Sequence, residues 1–167
     1  MHSDADFDPL PLLAALSEGG VDYVVIGGVA GGAYGSAHAT FDLDIAYARD
    51  QPNLERLAVV LQRLGAELRG APAGLPFLLD AKTLQAGAHF TFSTPFGSLD
   101  ILDRPDGSPP YAELKATATR QQVRGREVAV ASLDHLIAMK EAAGRTKDKL
   151  QAMEYRTLSD RLRAPRE

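Results

Sequence analysis

Asp42 and Asp44 stand one residue apart in the run Thr40-Phe41-Asp42-Leu43-Asp44-Ile45. On an extended strand, residues two apart share a face, so the two carboxylates lie side by side while Leu43 and Ile45 turn to the core. Two like charges about 4 Å apart repel by about 4 kcal/mol at the effective dielectric of a protein surface. A divalent cation converts that repulsion into a binding site, and Mg²⁺ is commonly held by one or two carboxylates plus the phosphates of a substrate. The chemistry such a pair serves is metal-assisted phosphoryl or nucleotidyl transfer. The plainer reading of the same residues is a solvated strand edge whose charges discourage pairing with another chain.

Asp100, in Leu99-Asp100-Ile101-Leu102, has the same apolar neighbours. If its strand lies beside that of Asp42 and Asp44, three carboxylates converge, as two-metal transfer requires. The third can also take the proton of an attacking hydroxyl. Asp103 is a weaker candidate, because three residues further along a strand it faces the other side, and Asp80 is weaker still. Gly27 and Gly28 close Val24-Val25-Ile26 and form a tight turn before a short helix. Backbone N–H groups there can meet phosphate oxygens, and a Cβ would keep the phosphate away. The alternative is a plain strand-to-helix turn that needs glycine only for its backbone angles.

The elements that must position these residues follow from periodicity and punctuation. A first helix is expected over 9–19, a buried strand over 21–26, a short helix over 29–34 and a second strand over 42–48. An amphipathic helix follows over 53–64, carried by Leu54, Leu57, Val60, Leu61 and Leu64. Residues 67–68 read as a short strand, 70–76 as a Pro/Gly-rich loop, and 80–87 have no clear pattern. Residues 89–102 form a hairpin turning at Pro95-Phe96-Gly97, and 111–116 form a helix. A smaller hairpin over 119–130 turns at Arg124-Gly125-Arg126, and Ser132 caps a helix over 133–143. A last helix runs over 146–162. The prediction is a mixed α/β domain spanning 1–167, a small mixed sheet flanked by helices with a helical segment at about 132–162.

Composition bounds the possibilities. With 167 residues, 45% hydrophobic and 24% charged, the chain can bury a real core. The absence of cysteine removes disulfides, thiolate nucleophiles and cysteine zinc sites, and makes a cytoplasmic setting the default expectation. The N-terminus is acidic, unlike a signal peptide, and no apolar run reaches the length of a membrane span. The net charge of −4 is unevenly spread. Residues 1–50 hold eight acids and one base, Arg49, whereas residues 140–167 hold eight bases, Arg166 among them, against five acids. An acidic half beside a basic tail suits a metal site facing an anion-binding surface, although most of these bases read more simply as the solvated side of a helix.

The glycine turn, the short helix, the Asp-x-Asp strand and the later Leu99-Asp100-Ile101 resemble the small nucleotidyltransferases of the polymerase-beta-like superfamily. Within them the chain is most similar to the bacterial group that includes the AbiE-type toxin nucleotidyltransferases. Val21-Asp22-Tyr23, Asn53-Leu54-Glu55-Arg56-Leu57, the run from Ser132 to Lys140 and Arg145-Thr146-Lys147-Asp148 extend the likeness over roughly residues 10 to 155. The resemblance implies the nucleotidyltransferase fold. It also implies that Asp42, Asp44 and Asp100 hold two Mg²⁺ (or Mn²⁺) ions as metal ligands and catalytic groups. Nucleotide binding falls to Gly27, Gly28, Ser36, Thr40, Lys140 and Lys147. The implied substrate is an NTP, the acceptor a tRNA 3′ end or a partner protein, and the setting a toxin–antitoxin pair.

One position departs from the pattern. Relatives have an arginine two residues before the Thr that enters the strand, and here that residue is His38. A histidine is shorter and mostly neutral near pH 7, so it cannot clamp phosphate bidentately. His89 and His135 read as packed or solvent-facing residues.

A dinucleotide-binding domain is excluded. Gly27-Gly28-Val29-Ala30-Gly31-Gly32 lacks the required glycine spacing, and the acidic pair opens a strand after barely two helical turns. Two alternatives stay open: a non-catalytic nucleotide-binding or antitoxin-like interaction module of the same fold, and transfer to a small molecule of the antibiotic type. Overall acidity argues against broad affinity for RNA. Lys147, Lys149, Arg156 and Arg163 would carry any RNA contact, and nothing points to DNA.

Overall fold

The computed structural model describes residues 7–71 and 78–165. The acidic start at residues 1–6, most of the Pro/Gly-rich loop at 70–76, and Arg166 lie outside the described residues.

The first helix, α1 (Leu10–Glu18), buries Leu12, Leu13 and Leu16, and Gly19–Gly20 ends it with Gly20 at φ 71°. Strand β1 (Tyr23–Ile26) is buried along its length and runs into α2 (Gly27–Ala33). Strand β2 (Asp42–Tyr47) pairs antiparallel with β1, with Ile26 opposite Asp44. Helix α3 (Gln51–Arg63) is capped by Asp50, whose carboxylate accepts from the Asn53 N–H, with Pro52 in its first turn. It therefore starts two residues earlier than the apolar spacing predicts. Asn53, 1% exposed, is a bracket rather than a cap: its amide accepts from Asp22 N and donates to Asp22 O and Ala48 O. These bonds clamp the entry of β1 to the exit of β2 and satisfy polar groups that burial would otherwise leave unpaired.

Strand β3 (Glu67–Leu68) is short. The stretch without clear periodicity folds as α4 (Ala81–Ala86), capped by the Asp80 carboxylate on Thr83 N at 2.8 Å. Strands β4 (His89–Thr94) and β5 (Gly97–Leu102) form the expected hairpin, and α5 (Tyr111–Ala116) follows. Strands β6 (Thr119–Val123) and β7 (Arg126–Val130) turn at Arg124 and Gly125, with φ of 51° and 85°, the left-handed pair that a tight hairpin turn needs. Helix α6 (Leu133–Ala143) is capped by Ser132, and α7 (Thr146–Arg163) completes the chain.

The seven strands make one mixed sheet in the order β3-β4-β5-β2-β1-β7-β6. Strand β5 pairs parallel to β2, placing Asp44 opposite Asp100 and Asp42 opposite Ser98. The alternate residues Leu43, Ile45, Leu99 and Ile101 are fully buried with Leu54, Leu57 and Leu61 of α3. That apolar set fixes the register, because a slip of one residue would turn the aspartates into the core. Among the described residues no helix is long and apolar enough to cross a membrane.

Candidate active site

Asp42, Asp44 and Asp100 come together on one face of β2 and β5, each offering a carboxylate oxygen within 4.8 Å of the others. Asp44 is the innermost of the three, and its pKa is pushed up to about 8, chiefly by burial and then by the negative charges of Asp42 and Asp100. Burial also raises Asp100, opposed by the nearby Arg69 guanidinium and reinforced by Asp42. Hard oxygen donors gathered under mutual repulsion suit a divalent cation, so the donor set fits Mg²⁺ or Mn²⁺.

The glycine turn has a steric reason in this triad. Gly27 has φ 70°, and a Cβ on it would overlap the Asp44 carboxylate. A Cβ on Gly28 would come within 2.8 Å of Thr40 Oγ1, and one on Gly31 would overlap the Tyr155 hydroxyl. Beside the expectation that glycine leaves room for phosphate, each position thus has a packing reason, because a Cβ there would meet side chains of β2, its entry loop or α7. The two glycines are also the first residues of α2, which begins two residues before the predicted helix. Thr40 Oγ1 in turn donates to Asp42 O at 3.1 Å, fixing the loop where it enters β2.

A cleft of about 600 Å³ opens over the triad. Gly28, Ser36, Thr40, Lys140 and Lys147 line it together with the three aspartates, so the predicted nucleotide-binding residues converge there, and Gly27 lines the adjoining hollow beside Asp44 and Lys140. Arg69, Gln151 and Tyr155 line the cleft too, and sequence reading missed them. Lys147, Gln151 and Tyr155 are spaced four apart on α7, a helical row that the sequence displays without naming the face it presents. Tyr155 is buried, which pushes its phenol up to about 12, with the Glu154 charge adding to the effect. The Gln151 side-chain oxygen is buried without a hydrogen-bond partner among the described residues.

The charged residues at the α6–α7 junction divide between structure and site. Asp148, 1% exposed, accepts from Arg145 Nε at 2.7 Å and from the Arg145 backbone, and lies 3.6 Å from Lys140 Nζ. The Arg145 guanidinium leads in holding its carboxyl below the usual range, with Lys140 contributing against burial. Arg145 and Asp148 thus form a helix-capping pair that also aims Lys140. His38 Nε2 meets Glu154 at 2.7 Å, tying the loop before β2 to α7. Asp103 faces away from the triad toward Arg49, and Asp80 is a helix cap. His135 contacts Thr117 Oγ1 at 3.2 Å, and His89 is exposed. Arg156 and Arg163 are engaged with Glu141 and Asp134. Half of the bases expected to meet RNA are therefore taken up in ion pairs.

No protein-family model matches this chain, and no curated protein matches it in sequence. Solved structures do match in shape. A lincosamide antibiotic adenylyltransferase, LnuA, in a lincomycin-bound crystal structure superposes with a TM-score of 0.61 at 14% identity, covering 89% of this chain and 94% of that one. The antibiotic-resistance factor ANT(2'')-Ia gives a TM-score of 0.51 at 16% identity over 90% of each chain. TM1012 from Thermotoga maritima, a candidate nucleotidyltransferase, gives 0.52 at 15% identity, covering 96% of this chain and 98% of that one. The seven-stranded mixed sheet with its C-terminal helices matches these structures and gives this chain the nucleotidyltransferase fold.

Proposed function

We propose that this protein transfers a nucleoside monophosphate from an NTP to a hydroxyl acceptor, with pyrophosphate leaving. The observation that carries this reading is the convergence of Asp42, Asp44 and Asp100 within 4.8 Å at the floor of a cleft whose other wall bears Lys140 and Lys147. Asp42, Asp44 and Asp100 would hold Mg²⁺ or Mn²⁺, which when bound supplies charge neutralisation at the phosphates and an acidified acceptor hydroxyl.

The chain's own residues divide the remaining work. Ser36, Thr40, Lys140 and Lys147 bind the triphosphate, and Gly27 and Gly28 let α2 approach Asp44 and Thr40 closely enough to form the wall. The acceptor hydroxyl oxygen attacks the α-phosphorus and forms the new P–O bond. The bond from that phosphorus to the bridging oxygen breaks, and the electron pair leaves with pyrophosphate. Asp100 takes the hydroxyl proton. By its resemblance to AbiE-type toxin enzymes, the acceptor is a tRNA 3′ end or a partner protein in a toxin–antitoxin pair. His38, held by Glu154, replaces the arginine of those relatives with a tether between loop and helix rather than a phosphate clamp.

A second reading, transfer to a small molecule, has its own support. A largely apolar cavity of about 630 Å³ adjoins the cleft and shares Gly28, Thr40 and Phe41 with it, and Phe41 is 56% exposed. LnuA, a lincosamide antibiotic adenylyltransferase, and ANT(2'')-Ia, an antibiotic-resistance factor, share the fold.

The experiment is incorporation from each α-labelled NTP with Mg²⁺ or Mn²⁺, offering total RNA, total protein and a small-molecule panel as acceptors. Label with the wild type that vanishes in the double variant Asp42→Asn, Asp44→Asn supports transfer and identifies the acceptor class. Absence of label on every acceptor overturns it in favour of a nucleotide-binding module.

A further inference from the structure

The sheet carries a polar row that extends past the triad. Asp44 on β2 is opposite Asp100 on β5, and Asp100 is opposite Thr91 on β4. Immediately after β3, Arg69 N donates to Thr91 O at 2.9 Å, so Arg69 continues the same row at the sheet edge. Its side chain reaches back over Thr91, and Nη2 donates to Asp100 Oδ1 at 3.4 Å. Ser98 and Ser93, in register with each other and with Asp42, make a second polar row beside it.

The two ends of the triad therefore differ. Ser36, Thr40, Lys140 and Lys147 approach from the side of α2, α6 and α7, where the triphosphate is placed in the proposed function. The other end lies over β4 and β3, where among the described residues Asp100 is the last carboxylate and Arg69, 44% exposed at its side chain, is the cation beside it. For an acceptor hydroxyl that delivers its proton to Asp100, this end is the approach on which Asp100 is the first carboxylate met. Whatever lies next to that hydroxyl meets a guanidinium, whose fork of donors suits a phosphate or carboxylate and repels a polycation.

We infer that Arg69 selects the acceptor, engaging an anionic group next to the reacting hydroxyl. The acceptor is a phosphate-bearing alcohol, either the end of a nucleic-acid chain or a phosphorylated small molecule. This rests on the nucleotidyl-transfer reading for its purpose but not for its test, which reads binding. A 3′-deoxy-terminated oligoribonucleotide, glycerol phosphate, adenosine and a polyamino sugar are titrated against the protein with Mg²⁺ and a non-hydrolysable NTP analogue. Wild type is compared with Arg69→Gln and Arg69→Lys.

Arg69→Gln is expected to weaken the phosphate-bearing probe about tenfold, the scale of one charge-assisted contact. Adenosine and Mg²⁺–nucleotide affinity stay within about twofold, and Arg69→Lys is intermediate because it keeps charge but not the fork. Loss confined to the oligoribonucleotide identifies a chain end as the source, and loss confined to glycerol phosphate identifies a small molecule. The inference is overturned by equal losses on all probes, by no loss, by no binding of either phosphate probe, by preference for the polyamino sugar, or by a fall in Mg²⁺–nucleotide affinity. The last would mean that Arg69 serves the nucleotide, directly or through Asp100, rather than the acceptor. Absence of turnover with intact Arg69-dependent binding would sink the transfer reading, and acceptor selection with it, and leave Arg69 as a phosphate-binding residue only.

Discussion

Gly27 and Asp44 occupy one space between them: at φ 70°, the position where a side chain at residue 27 would begin is filled by the Asp44 carboxylate. The strand that carries the acidic pair and the turn that opens α2 are thus cut to fit each other.

Gly27→Ala is expected to displace Asp44 and to destabilise the fold by about 2 kcal/mol, combining left-handed backbone strain with the overlap. Thermal unfolding would show the stability loss. A titration with Mg²⁺ should show that the variant gains less from the metal than wild type does. Full metal-induced stabilisation in the variant would refute the fit between the two residues.

Asp44→Asn separates stability from activity. The folded pKa of about 8 lies above the ordinary 3.8, so without metal the folded state holds a proton that the unfolded state releases. Stability from this group is fully present below about pH 4 and is lost as pH rises through about 8. Metal-free Asp44→Asn should therefore match wild type near pH 4 and exceed it by several kcal/mol near pH 9, while losing all nucleotidyl transfer. Urea unfolding at the two pH values measures the difference.

Divalent cation should reverse that trend in the wild type. Below the raised pKa the metal must displace a proton from Asp44, and above it the carboxylate is already charged. Mg²⁺ is expected to raise the unfolding midpoint more near pH 8.5 than near pH 6, with Asp44→Asn showing little response at either. A larger effect at the lower pH would rule out Asp44 as a ligand.

Asp148→Asn removes the carboxylate that caps α7 and holds Arg145 and Lys140. The carboxylate is buried but Arg145 is 69% exposed, so the cost is about 1 to 3 kcal/mol, below that of a fully buried pair. Because α7 carries Lys147, Gln151 and Tyr155 into the cleft, nucleotide affinity should fall along with stability. Calorimetric titration with Mg²⁺–NTP checks the second effect.

Gly31→Ala tests the contact between α2 and α7. A Cβ there would overlap the Tyr155 hydroxyl and lie 2.8 Å from the ring carbon bearing it. The variant should lose about 2 kcal/mol, and adding Tyr155→Phe should recover part of that loss by removing the nearer atom. Additive losses in the double variant would count against this contact.

The acidic triad was legible in the chain because its signal is local. Leu43, Ile45, Leu99 and Ile101 alternate with Asp42, Asp44 and Asp100, and period-two alternation by itself assigns each aspartate to the face opposite the core. Most elements were legible for the same reason, from the apolar row of α3 to the turn at Arg124-Gly125. Two of the boundaries that moved were set by caps: Asp50 with Pro52 starts α3 early, and Asp80 starts a helix where periodicity is faint.

What only the tertiary structure decided is what stands beside each of those residues. That β5 lies next to β2 with Asp100 opposite Asp44, that Arg69 reaches Asp100 across Thr91, and that Gly27 yields its space to Asp44 all depend on strand order. So does the division of basic residues between cleft and ion pair, with Lys147 facing the triad while Arg156 and Arg163 meet Glu141 and Asp134. A sequence fixes which face a side chain takes along its own strand or helix. The neighbour across the sheet is chosen by the packing of the whole core, through contacts between residues far apart in the chain.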